Sequence, residues 1–331
     1  MTSVLLAGAG EVGSRAGRQL LDTEGIDRVV VTDRSADRAR ALSTALGPAA
    51  SSRVWPPAWD DIDAVAVAFA GTAALGLARA AISAGRPVAA VGDEEAALAA
   101  LLALDEAART AKVAVVAGCA LVPGLSEVLA RHAADALDTA DEVHVARAGA
   151  SGPECMSALR RLRRDRALEW HDGAWRSERR LGPQLVWFPD PIGAMECAVA
   201  ASGVTLMRDA VAGSRHVSVR VADAPQRNAL RTLFGRPTLH DGWGAARVEV
   251  WGWRGRAREA IVYGVIERPA VAAGTVLAVT AARLAGALPE VTLARDPIGA
   301  SGLGTLVDPA PFLAELARRG VKAAAFEGVH A

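Results

Sequence analysis

The run Val4-Leu5-Leu6-Ala7-Gly8-Ala9-Gly10-Glu11-Val12-Gly13, followed by Val29-Val30-Val31-Thr32-Asp33, decides the fold of this chain. Parallel strands are covered on both faces and lose the alternating apolar pattern, so each apolar run reads as a buried parallel strand. Gly8 permits the tight turn out of the first strand. Gly10 lets a diphosphate approach the backbone with no Cβ in the way, and Gly13 lets the following helix pack closely on the sheet. The helix N-terminus offers unbonded N–H groups at Glu11, Val12 and Gly13 together with a partial positive charge. A Gly-x-Gly-x-x-Gly is weak by itself in a chain with 32 glycines. Here it follows a strand, opens a helix and precedes a second strand ending in an acid, the context of a dinucleotide site. Asp33 can accept hydrogen bonds from the adenosine ribose, and its charge repels a 2′-phosphate, which favours NAD over NADP. Arg34 and Arg38 follow at once and could hold a 2′-phosphate of the cofactor, although both also suit the solvated start of the next helix. A methyltransferase with a similar Gly-rich turn is the rival reading, disfavoured by the presence of a later domain.

The bulk properties agree. With 331 residues, 51% of them hydrophobic, the chain can bury a large core and divides into two domains. Lys+Arg and Asp+Glu both number 37, so nothing points to nucleic acid or an anionic membrane as a partner. The first strand begins almost at the N-terminus and no long apolar span occurs, so a cytoplasmic protein without membrane segment is expected. Cys119, Cys155 and Cys197 are odd in number and far apart, which fits reduced thiols and no metal site. The single tyrosine, Tyr263, has no lysine four residues later, so the Tyr-x-x-x-Lys dyad of short-chain dehydrogenases is absent. The Glu-Lys-Pro of many sugar dehydrogenases is absent too; Gly85-Arg86-Pro87 and Val88 to Asp93 stand there instead.

Periodicity and breakers predict a helix over Ser35–Leu46, a short third strand near Val54, and a fourth strand over Asp63–Phe69. Phe69, Ala70 and Gly71 lie at its C-terminal end, the edge that faces a dinucleotide in this topology. A helix over Ala73–Ala84, a strand over Pro87–Val91, a long helix over Glu94–Ala111 and a strand over Val113–Ala117 complete a doubly wound parallel sheet. Gly118-Cys119-Ala120-Leu121-Val122-Pro123-Gly124 then turns the chain sharply into a helix reaching about Leu137.

These features resemble the saccharopine dehydrogenase-like family, which includes saccharopine reductase and lysine 6-dehydrogenase. The resemblance rests on the N-terminal Gly-Ala-Gly-x-x-Gly, the six-strand unit, the Gly-x-x-Leu-x-Pro-Gly turn and the closing Val307–Val321 segment. It covers the first 140 residues well and the last 25 moderately. Many members carry an acid immediately before the Pro-Gly, where this chain has Val122. The resemblance implies a Rossmann domain (residues 1–121, with 290–331 packing back) and a second α+β domain (122–289) for substrate binding and dimerisation. It also implies hydride transfer between a nicotinamide and an amine or imine carbon.

Beyond Asp141 the pattern becomes one of partly alternating strands: Glu142–Ala148, Leu185–Phe188, His216–Val221, Arg247–Trp253 and Glu259–Ile266. They imply a mostly antiparallel sheet, with one face exposed or covered by a partner. Six of the eight tryptophans lie between Trp170 and Trp253, a density that suits a homodimer interface or an ordinary core. Ala270–Ala287 reads as a helix returning to the first domain, where the last helix and Val321–Phe326 are expected to dock. Asp-Pro-Ile-Gly-Ala occurs at both Asp190–Ala194 and Asp296–Ala300, which is shared turn chemistry. The basic run Arg160–Arg166 reads as a solvated face or an attractor for an anionic substrate.

An amino-acid carboxylate needs an arginine fork; Arg147 and Arg254, each near a strand end, are the candidates. For the proton step Cys119, Asp93 and Glu127 are best placed. Each also has a structural reading: an inert buried thiol, a cap for the helix after Asp93, a helix acid at Glu127. His132 belongs to the same helix and could face the cleft or solvent. Three functions remain open: an NAD-dependent oxidoreductase acting on C–N bonds, a carbonyl-reducing enzyme of a secondary-metabolite pathway on the same scaffold, and a catalytically silent dinucleotide sensor.

Overall fold

Val4–Ala7, Val29–Val31 and Ala64–Val67 have no exposed surface, as strands sandwiched between helix layers must be. The computed structural model describes residues 1–150, 152–162, 165–178, 182–222 and 242–327. The first part runs β1 (Ser3–Ala7), α1 (Glu11–Leu21), β2 (Arg28–Thr32), α2 (Ala36–Leu46), β3 (Ala50–Ser52), β4 (Ala64–Val67), α3 (Thr72–Ser83), β5 (Val88–Ala90), α4 (Glu95–Leu102), α5 (Asp105–Ala111) and β6 (Ala114–Ala117). The second part runs α6 (Leu125–Ala134), β7 (Thr139–Ala148), α7 (Gly152–Leu162), β8 (Ala167–His171), β9 (Ala174–Glu178), β10 (Gln184–Trp187), β11 (Ala194–Val199), α8 (Val204–Ala210), β12 (His216–Ala222), β13 (Gly244–Arg254) and β14 (Ala257–Glu267). It ends with α9 (Pro269–Leu284), β15 (Gly299–Gly302), α10 (Leu303–Leu306), α11 (Pro309–Arg318) and β16 (Ala323–Glu327).

The first sheet is parallel throughout, in the order β15-β6-β5-β4-β1-β2-β3. Its order reverses at β1/β4, the switch point beside which such sheets bind nucleotides. One face packs on α1, α2 and α9, the other on α3, α4 and α5. The second sheet is mixed, in the order β10-β11-β12-β7-β13-β14-β16, with β8 and β9 attached to β12. Its only parallel pair among the described strands is β12–β7. The fold is therefore α/β, a doubly wound Rossmann sheet joined to a second, mostly antiparallel one.

Several expectations are corrected. The third strand is Ala50–Ser52, pairing with Val29–Val31, and Val54 lies beyond it, 75% exposed. The single helix expected over Glu94–Ala111 is broken into α4 and α5, and Asp105, at the start of α5, accepts the Ala300 N–H at 2.8 Å. Thereby it anchors β15, a seventh strand with no apolar run to announce it. The closing strand does not dock on the first sheet: β16 pairs with β14. The outer edge of β6 is already taken by β15, whereas β14 offers an open row of backbone donors and acceptors.

Two helices tie the sheets together. On α9, Gly274 rests on α1; a Cβ there would stand 2.6 Å from the Arg15 Cβ and 2.9 Å from the Val12 carbonyl oxygen. Helix α6 is buried from Leu125 to Ala130, and one continuous core joins its residues to Val4 and Leu6 on one side and to Val143, Val219 and Val248 on the other. Glu127 holds the start of this helix: its Oε2 accepts from the Gly124 N–H and from the Ser126 hydroxyl at 2.7 Å. Its Oε1 is buried without a partner.

This packing leads to two expected outcomes. Gly274→Ala should destabilise the protein by about 1–3 kcal/mol in urea unfolding, since backbone cannot retreat as a flexible side chain would. Burial pushes the Glu127 carboxyl up from 4.5 to about 7 despite its hydrogen bonds. Because the folded pKa is the higher one, the protonated form favours folding; that stability is complete below about pH 4.5 and is lost as pH rises through about 7. Over that window the loss is about 3 kcal/mol. Glu127→Gln should flatten this slope and raise Tm at pH 8; a wild-type pH slope surviving in the variant would contradict the account.

Candidate functional site

The C-terminal edge of the first sheet gathers the site. Gly8 has φ +106°, and its N–H bonds the Thr32 carbonyl at 2.8 Å. A Cβ on Gly13 would lie 1.8 Å from the Gly8 carbonyl oxygen, so α1 and the turn interlock only with glycine there. Gly10, the residue before α1, has nothing within 4 Å of where its Cβ would be. That open space in front of three unbonded helix N–H groups, those of Glu11, Val12 and Gly13, fits a diphosphate. Phe69 flanks it, its ring 3.1 Å from the Cβ position of Gly8, and Ala70 and Gly71 lead from it into α3.

Asp33 knots this loop to the next strand. Its Oδ2 accepts from the Ala9 N–H at 2.8 Å; its Oδ1 accepts from Ser35 N–H at 2.9 Å and from Arg38 at 3.0 Å. Burial opposes its charge, but these two N–H groups and the Arg38 guanidinium prevail and hold the carboxyl below its ordinary value. It is thus an anion at neutral pH beside the Gly-rich turn, fit to accept ribose hydroxyls. Arg38 neutralises it, while Arg34 is exposed.

Across the edge, β7 brings Arg147 to Asp93. Nη1 of Arg147 donates to Asp93 Oδ1 at 2.8 Å and to the Val122 carbonyl at 2.7 Å. Nε and Nη2, the two nitrogens of one guanidinium edge, are buried with no partner. Burial opposes the charge of Arg147, and the nearby Asp93 and Cys155 raise its pKa nonetheless. Asp93 therefore does not cap α4, contrary to the capping expectation; Glu94 occupies that position. The Asp93 carbonyl is held in turn by the Ser202 hydroxyl at 2.7 Å, and Glu95 accepts the Val204 and Thr205 N–H groups at 2.9 and 3.0 Å. Helix α7 spans the same edge: a Cβ on Gly152 would be 3.2 Å from the Glu11 carboxyl, and Arg161 pairs with Glu94 at 2.6 Å.

Other candidates are not brought here. Arg254 is exposed, bonding the Ala136 carbonyl at 2.8 Å and Glu259 at 3.1 Å. It follows Trp253, the partner of Thr139, eight residues from Arg147 along β7 and so roughly 26 Å away. His132 bonds the Tyr263 hydroxyl at 2.8 Å instead of facing the cleft. Cys119 is fully buried with its thiol towards the Val116 carbonyl at 3.5 Å, and burial pushes it up to about 12, where it cannot exchange a proton at neutral pH. Glu127 lies beneath the Gly118–Gly124 turn, 2% exposed, and supports it from below. In the basic run, Arg161 is taken by Glu94 and Arg166 by the Ser177 carbonyl at 2.6 Å; Arg163 and Arg164 fall outside the described residues. Sequence reasoning missed Ser202, Glu95 and Cys155, none of which sits in a motif. Their places are set by the docking of the segment before α8 and of α7, which no local pattern marks.

Among the described residues, no helix is long and apolar enough to cross a membrane. No protein-family profile and no curated protein matches the chain. Solved structures do resemble it. The saccharopine dehydrogenase (L-Glu forming) of Saccharomyces cerevisiae, in its apo form, matches with a TM-score of 0.70 at 15% identity, over 99% of this chain and 100% of that one. The DAP dehydrogenase of C. glutamicum, solved with DAP, gives 0.55 at 14% identity over 97% and 99%. GenD2 from gentamicin A biosynthesis, solved with NAD, gives 0.51 at 15% identity over 99% and 97%. Full-length agreement with the first of these shows that the chain has a saccharopine dehydrogenase-like fold.

Proposed function

We propose that the protein is a nicotinamide-dependent oxidoreductase that uses NAD in preference to NADP and acts at a C–N bond of a carboxylate-bearing amine or imine. The observation that carries this reading is the buried, unpartnered Nε–Nη2 edge of Arg147 at the rim of a sheet whose turn fits a diphosphate. When bound, the cofactor supplies or takes up the hydride. Gly8, Gly10 and the N–H groups of Glu11, Val12 and Gly13 would hold its diphosphate, Asp33 its adenosine ribose, and Phe69, Ala70 and Gly71 would lie alongside. The oxidoreductases of like fold support the dehydrogenase part of the proposal.

The chain's own groups do the positioning. Asp93 and the Val122 carbonyl fix one side of the Arg147 guanidinium, leaving the opposite edge set to take both oxygens of a carboxylate. With the guanidinium orientation fixed in advance, only what covers its buried edge has to move when substrate arrives. An imine is protonated in water and needs no strong acid from the protein, whereas a carbonyl acceptor needs a proton for its developing alkoxide. The thiol of Cys119 and the carboxyl of Glu127 are both sequestered, and Val122 brings no acid to the turn, so the C–N reading is preferred to carbonyl reduction. We further infer a cytoplasmic homodimer through the second sheet, whose Trp253 is 42% exposed.

Calorimetry should show NADH binding more tightly than NADPH, with Asp33→Asn weakening NADH about tenfold and narrowing the difference. Flat titrations with both on folded protein would remove the redox assignment. In assays with α-amino or α-imino acids, Arg147→Lys should raise KM roughly ten- to a hundredfold and leave the NADH Kd unchanged. Equal activity on decarboxylated amines would remove the carboxylate from the substrate. NADH bound but never consumed across a panel of imines and carbonyls, with NAD never reduced by amines, would make the protein a sensor.

A further inference from the structure

The second sheet has an inner face on α6 and an outer face that, among the described residues, no helix covers. Along β7 the side chains alternate, so Arg147 reaches the cleft while Ala146 and His144 look outward; on β12 the partner of Ala146 is Arg220. Strand β10 curls back over this outer face far enough for the Trp187 carbonyl to accept from Arg247 Nη1 at 3.2 Å. Between them lies a cavity of about 300 Å³, lined by His144, Ala146, Leu185, Trp187, Arg220 and Arg247 among others. It is separated from the nucleotide edge by the thickness of the sheet.

The charged groups of this cavity and its histidine can be accounted for one by one. Arg247 gives Nε and Nη2 to Glu249 Oε2 at 3.2 and 2.8 Å, and the other oxygen of Glu249 accepts from Trp251 Nε1 at 2.6 Å. His144 places Nδ1 against the Ser218 hydroxyl at 2.8 Å and Nε2 against Glu142 at 3.3 Å. Burial and the neighbouring Arg220 push its pKa down, so it is neutral at pH 7. Arg220 remains. Its Nη1 donates to Ser218 at 2.6 Å and its Nε is buried with no partner; Glu169 and Glu249 favour its charge from a distance, but among the described residues no carboxylate stands within ion-pair reach. A guanidinium keeps its proton, and a buried N–H left without a partner is costly. Nε and Nη2 form the edge that matches a planar carboxylate. Beside it, Leu185 and Trp187 are 62% and 64% exposed, a ready contact for an apolar tail.

We propose that this cavity is a second binding site, specific for a small carboxylate with an aromatic or aliphatic tail, in which Arg220 takes the anion and Trp187 and Leu185 the tail. Its volume matches the lower end of small-ligand pockets. The anion has a second conceivable source, an acidic side chain of another copy of the chain, and the test separates the two.

Calorimetric titrations with benzoate, indole-3-acetate and the neutral benzamide are run on the full chain and on Arg147→Lys, in which an anion in the cleft has lost its fork. Saturable binding of both acids in both proteins, without binding of benzamide, is expected. Arg220→Gln should weaken both acids at least about tenfold. Trp187→Ala, at an exposed position where folding is not at stake, should weaken indole-3-acetate severalfold and leave acetate competition unchanged. The proposal is overturned if neither acid binds at up to roughly 10 mM, or if Arg147→Lys rather than Arg220→Gln abolishes binding. It is equally overturned if the wild type binds neither acid while Arg220→Gln dissociates a dimer in sedimentation, because the charge then belongs to a second copy.

Discussion

Both sheets bury a face on the same helix. Residues Leu125–Ala130 of α6 are enclosed on all sides, and the core runs through them without interruption from Val4 to Val248. A helix buried all round is held by every layer it touches, so its first turn becomes a fixed point of the molecule. The Val122 carbonyl, presented just ahead of that turn, orients Arg147, and Glu127 at the third helical position ties the turn from beneath. The C-terminal edge of the first sheet and strand β7 thus share one anchor.

The energetic cost of this arrangement is visible as charge placed where water cannot reach. Arg147, Arg220 and Glu127 each keep at least one buried polar atom without a partner. A folded protein gains nothing in stability from such atoms, and usually avoids them. On β7 and β12 the two arginines sit in adjacent register but on opposite faces, since Arg147 pairs with Val221 and Arg220 with Ala146. Alternation along a strand therefore presents two similar guanidinium edges to two separate spaces. At Asp33 the opposite solution holds: the carboxylate is buried yet surrounded by donors, and it remains charged without strain.

Where the signal is local, it was legible in the chain. The turn from Gly8 to Gly13 needs three residues without side chains at a fixed spacing, and each does what its spacing implied: a positive φ, an open approach and a contact with backbone. Asp33 follows a strand whose centre, Val29–Val31, is apolar, and the strand–turn–helix order is dictated by those few residues. Phe69 likewise takes its position from the apolar run before it. Arg254 shows the limit of the same reasoning, because two arginines at strand ends look alike until the register shows which end of the sheet each one occupies. Strand β15 and the break at Asp105 are invisible for a related reason: Gly299–Gly302 has no apolar pattern, and it becomes a strand because the edge of β6 and the Asp105 carboxylate bind its backbone.

Composition, periodicity and the glycine spacing by themselves settled the class of the fold and the geometry of the Gly-rich turn with its neighbouring acid, since these depend on interactions within a few turns of chain. Tertiary structure alone decided which polar groups meet. Asp93 and Arg147 are 54 residues apart and pair only because α6 packs β7 against the rim of the first sheet. The closing strand chose β14 over the first sheet because that is where unpaired backbone remained. Long-range pairing is set by which edges and faces are left open once the core has formed, and no window of sequence carries that information.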